Sequence, residues 1–192
     1  MPVAEGFQPG GRAAAPLPLD LVQDFVNTEI PDFAQDDIAS PMLLEGWLRE
    51  RGLLDEGESV SAAGFVAARE LRAALRALAL LNTTGAAPEE GLRERVRSAL
   101  SEAVLRTEVD AVGRLVPVPA RAGEWRGLGA IAAVVLVAQA DGSWSRLKAC
   151  RKEGCGWLFY DRSRNLSSSW CSMSICGNRT KTAAYRRRKA AT

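Results

Sequence analysis

Apolar residues recur at helical spacing through most of the chain, and that rhythm breaks twice. Residues 17–30, LPLDLVQDFVNTEI, place Leu21, Val22, Phe25 and Val26 on one side of a helix, and Pro31 stops the run. In SPMLLEGWLRERG (40–52), Ser40 suits an N-cap, Pro41 the first helical position and Gly52 the terminator, with Leu44, Trp47 and Leu48 as the buried stripe. A longer helix is predicted from Ser61 to about Asn82. Phe65, Leu71, Leu75 and Leu78 line one of its faces, and Arg69, Arg72 and Arg76 the other. Residues 87–106 predict a further amphipathic helix, its early glutamates suiting the positive N-terminal end and its arginines a solvated face.

The first break is EVDAVGRLVPVP (108–119), where valines and a leucine separated by Gly and Pro predict a short strand or hairpin. Helical character returns from Glu124 to about Ala140, ended by the turn ADGS. This apolar run falls short of the roughly 18 residues a membrane span needs, so a buried helix is expected and no membrane partner.

The second break holds every cysteine: Cys150, Cys155, Cys171 and Cys176. Two close pairs separated by a loop suit a tetrahedral four-thiolate zinc site, each pair forming a tight knuckle. Disulfides are the rival reading; the polar, turn-rich start MPVAEGFQPGGR lacks an export signal, which favours reduced thiols and a cytoplasmic protein. With all four positions protein thiolates, one zinc per chain is expected to be structural, with no open position for water. Gly156 and Gly177 each follow the second cysteine of a pair, where freedom of backbone angle lets N–H groups point at sulfur. GWLFYD (156–161) predicts a strand, SRNLSSS a turn, and the residues after Gly177 a helix. That order is treble-clef-like. Trp157, Phe159 and Trp170 are the expected small core, and Asp161 is expected to pair with Arg164 or Arg179.

Charge divides the chain at the same place. Residues 1–145 carry 13 Arg and Lys against 21 Asp and Glu, whereas residues 146–192 carry 12 against 2. An acidic body with a basic tail points to an anionic polymer, nucleic acid before membrane, or to a tail folded back on its own body. The candidate phosphate contacts are Arg162, Arg164, Arg179, Lys181, Arg186, Arg187, Arg188 and Lys189. The chain has no histidine and no phosphate-cradling glycine loop, and nothing in it asks for an enzyme.

The strings SRLKAC, CGWLFYDRSRN, WCSM and CGNR together resemble the CGNR zinc finger of bacterial transcription regulators, and QDFVNTE at 23–29 is similar to the LDFVNT signature of their helical ABATE domain. The resemblance implies zinc on the same four cysteines and a helical regulatory body at 1–145 joined to a finger at 146–192. Where members of the family carry basic residues before the WC pair, Ser167, Ser168 and Ser169 stand here, leaving the last helix as the better phosphate contact. The expected architecture is mainly α, with a multi-helical body, a short hairpin and a small zinc finger built of a hairpin and a helix. The expected function is a DNA-binding transcriptional regulator; the alternative is a zinc-stabilised protein-interaction module that binds no nucleic acid. Asp24, Asn27 and Thr28 are read either as capping and buried hydrogen-bonding groups or as the lining of a pocket for a small effector. A homodimer is a further expectation, since many DNA readers pair to match two half-sites.

Overall fold

A computed structural model describes residues 8–190; within its last helix the side chains at 183–185, 187, 188 and 190 lie outside that description. Helix α1 (Leu19–Asn27) buries Leu19, Val22, Phe25 and Val26. A small hairpin of β1 (Glu29–Ile30) and β2 (Gln35–Asp36) follows it. In α2 (Pro41–Glu50) the Ser40 hydroxyl accepts from the Leu43 N–H, 3.3 Å, as a cap should. Helix α3 (Ala62–Thr84) has the same device in Ser61, which accepts from Gly64 N–H and itself donates to the buried Glu124 carboxylate. It ends at Gly85, whose φ of 70° is the left-handed C-terminal cap.

Helix α4 is shorter than its pattern suggested, Glu90–Leu100. Its expected last turn is instead the start of β3 (Leu105–Val109), paired antiparallel with β4 (Leu115–Pro119). Strand pairing wins there because residues 104–109 supply a β-rich run that alternates across the hairpin. The apolar helix is α5 (Glu124–Ala140), and none of the described helices is long and apolar enough to cross a membrane.

One core joins these elements. Phe25, Trp47, Leu48, Leu71, Leu75, Leu128 and Ile131 meet there, with the Phe25 and Trp47 rings 5.5 Å apart. The same core takes in Leu147 and Ala149 of β5 (Leu147–Ala149) and Leu158 and Tyr160 of β6 (Leu158–Tyr160). The cysteine-rich segment therefore shares the body's hydrophobic interior.

Arg72, placed with Arg69 and Arg76 on the face away from the apolar residues, is buried. Only 2% of its side chain is exposed, and it makes paired hydrogen bonds of 2.6 and 2.8 Å to Asp36 on β2 and another to Thr28 Oγ1. The β1–β2 hairpin covers that side of α3 and brings a carboxylate to it. Arg76 is drawn in the same way, donating to Glu29 and to the Val26 and Glu29 carbonyls.

Candidate metal centre

The chain reaches the site along β5 and leaves it along β6, so the two strands flank the first knuckle. The sequence had suggested a hairpin between the two cysteine pairs; the partner of β6 instead precedes Cys150. Cys150 N–H donates to Trp157 O, closing the hairpin over the knuckle. Gly156 holds a φ of 60°, as expected of a knuckle glycine. Gly177 has an ordinary φ; it is small because Met173 and Trp170 occupy the space a Cβ would need. Residues Met173–Gly177 form a π turn that leads straight into α6 (Asn178–Ala190).

All four sulfurs are buried and lie within 4.8 Å of one another. The Cys171–Cys176 distance is 3.5 Å, and Cys155 lies 3.8 Å from both Cys171 and Cys176. A tetrahedron with zinc–sulfur bonds of ~2.3 Å has edges of about 3.8 Å, so the donor set fits zinc. These separations are too long for disulfides. Backbone N–H groups of Lys152 and Trp157 reach the Cys150 and Cys155 sulfurs, which suits thiolates. Without a metal the four groups cannot all ionise. Hydrogen bonds from Cys155 and Cys171 pull Cys150 down to about 2. Its hydrogen bond to Cys150 pushes Cys155 up to about 12, and Cys171 and Cys176 are also raised. One thiolate shared among thiols is the arrangement a divalent cation relieves, with proton release. The chain thus carries one structural zinc site, and its ligands leave no position for catalysis.

Around the sulfurs, Trp157 and Phe159 are buried and Trp170 half-buried, forming the expected small core. Asp161 does not meet Arg164 or Arg179. It is fully buried and pairs with Lys148 Nζ at 2.9 Å, and the Ser163 and Ser168 N–H groups donate to it. Burial pushes its carboxyl up, but those hydrogen bonds outweigh it and hold the group well below the usual carboxylate range. Lys148 also donates to the Leu166 and Ser168 carbonyls, and so ties down the loop before the second knuckle.

Several supporting residues were not singled out from sequence. Arg12 donates to the Cys171 and Trp170 carbonyls and sits 4.7 Å over the Phe159 ring. Gln8 accepts from the Trp157 indole, 3.1 Å, and from Gln23, which is itself fully buried and donates to Leu158 O. A polar residue on the buried stripe of α1 was the one available signal for Gln23. Lys152 pairs with Asp32, and Asp32 also occupies the space beside Gly154.

Of the proposed effector-lining residues, Asn27 makes two hydrogen bonds to the Leu158 backbone, 2.7 and 2.9 Å. Thr28 donates to Phe25 O and accepts from Arg72. Asp24 is half-buried on the same helix. Of the proposed phosphate contacts, Arg164, Arg179, Lys181, Arg186 and Lys189 are exposed. Arg162 is exposed too, but lies 5.2 Å over Tyr160 and donates to Ala14 O. The side chains of Arg187 and Arg188 lie outside the described residues. Arg151, on the first knuckle, is a further exposed cation.

Comparison with known families finds two matches. Residues 19–142 match the model described as "Putative stress-induced transcription regulator", the ABATE domain, and residues 146–189 match the CGNR zinc finger. No curated protein matches the chain.

Proposed function

The chain belongs to the family described as "Putative stress-induced transcription regulator", joined to a CGNR zinc finger, and from that premise we propose that it binds duplex DNA through cations carried by the finger. One observation carries the reading. Arg179, Lys181, Arg186 and Lys189 are exposed on α6, and none of the described ion pairs engages them, although the body is acidic. A tail serving its own body would be paired with those carboxylates; Lys152 with Asp32 is the single such ion pair among the described residues. Zinc fixes the turn from which α6 starts and so aims the helix. Phosphate contacts of this kind give affinity without sequence preference. In this reading Asn27 and Gln23 join body to finger, so a change in the helical body can be passed to the DNA-facing helix through β6.

Fluorescence anisotropy of the zinc-loaded chain with random-sequence duplex, across a salt series, tests the proposal. The logarithm of the binding constant should fall with log salt at a slope of roughly −4 to −6, for about five or six phosphates. A chain ending after Arg179 should lose most of that slope. Absence of binding at low salt would overturn the reading and leave the finger as a protein-interaction module.

A further inference from the structure

The β3–β4 hairpin has one open edge and one closed edge, and the difference is written in its residues. Leu105 pairs with Pro119, Thr107 with Pro117 and Val109 with Leu115. Asp110 N–H donates to Arg114 O and Ala120 N–H to Val104 O, both 2.9 Å, so the even-numbered residues of β3 exchange hydrogen bonds with β4. The odd-numbered residues of both strands therefore turn their N–H and C=O groups outward. On the β4 side two of these are Pro117 and Pro119, which have no N–H to give, so that edge is closed to a further strand. On the β3 side they are Leu105, Thr107 and Val109, each with a free donor and acceptor. No other described strand pairs with β3, and four of its five residues are exposed.

The strand is also complementary to itself. Read outward from Thr107, LRTEV places Arg106 against Glu108 and Leu105 against Val109. Exposed edges are usually blunted by charge, but here the two charges are opposite in sign and symmetric about the centre. We propose that β3 pairs antiparallel with β3 of a second copy, on a two-fold axis at Thr107, making one four-stranded sheet. Thr107 then exchanges both backbone hydrogen bonds with its counterpart, and Leu105 does so with Val109. Arg106 faces Glu108 of the other chain twice, in the close, non-hydrogen-bonded register where cross-strand side chains interact most. Within one chain those two groups already share a face, 2.6 Å apart and half in solvent. Val109 and Leu115, 67% and 74% exposed, join Leu105 and Pro119 of the second copy in a continuous apolar row. Helix α5 packs on the β4 side, with Gly129 against Pro119. The two α5 helices are thus separated by three strand spacings, about 14 Å, which exceeds the 8–10 Å of packed helices. The symmetry fits without collision there.

Sedimentation velocity of the zinc-loaded full chain over a micromolar concentration series reads the outcome. The wild type should reach twice the 20.6 kDa chain mass. Arg106→Glu and Glu108→Arg each place like charges opposite one another at both positions and should each raise the dimer dissociation constant about tenfold or more. Mixed in equal amounts, the two single variants should recover dimers, because each supplies the charge the other lacks. Misfolding cannot mimic that recovery, and the double variant, which keeps the pair within each chain, should also dimerise. A wild type that stays monomeric, dimers indifferent to both reversals, or a mixture that stays monomeric would each overturn the proposal.

Discussion

Arg72 and Asp36 show how much rests on one buried contact. The guanidinium is almost fully enclosed and its neighbours are Asp36, Glu29 and Thr28. Burial pushes the Asp36 carboxyl up, and hydrogen bonding and attraction from Arg72 bring it below its ordinary value. A carboxylate lowered in the folded state contributes stability that is present above its unfolded value of about 3.9 and is lost as pH falls through the folded one. Asp36→Asn removes the carboxylate paired with the buried Arg72, leaving only Glu29 at 3.8 Å as counter-charge, and should cost about 3 kcal/mol near neutral pH. The gap between the wild type and that variant should narrow below about pH 4, which denaturant titrations of both proteins at several pH values would record. A gap that widens on acidification would contradict the assignment.

At the scale of elements, what joins α1 to the finger is the pair of hydrogen bonds from Asn27 to the Leu158 backbone, with Gln23 adding a third. Asn27→Ala strips the buried Leu158 N–H of its partner, while Leu158 O keeps Gln23, and should destabilise the chain by about 1 to 3 kcal/mol. Thermal unfolding followed by circular dichroism measures it; an unchanged midpoint would mean that water replaces the side chain. Most elements were legible in the sequence because local signals set them: Ser40 caps, Pro41 opens a helix, and the spacing of four cysteines names the metal site. Long-range partners were not legible. An arginine at helical spacing carries no mark of the carboxylate 36 residues earlier that will meet it. Nor does Asp161 announce that Lys148, rather than a later arginine, lies across the strand pair. Likewise β5 is three residues long and Arg12 lies 159 residues from the carbonyl it caps, beyond the reach of periodicity.

On the scale of the whole molecule, the zinc site is not an appendage. Four thiolates close the knuckles, β5 and β6 run from them into the common core, and α6 carries the exposed cations away from them. The finger's own core is too small to hold it folded alone, so its folding should be coupled to the metal. Because its strands complete the body's core, that coupling should extend into the helices. Hydrogen exchange of the zinc-loaded and chelator-treated chain, followed by peptide mass spectrometry, tests this directly. The account predicts that removing zinc speeds exchange in 147–182 and also in the second half of α1 and of α3, which pack on β6 and β5. Faster exchange confined to the finger, with α1 and α3 untouched, would contradict it and leave body and finger as independent units.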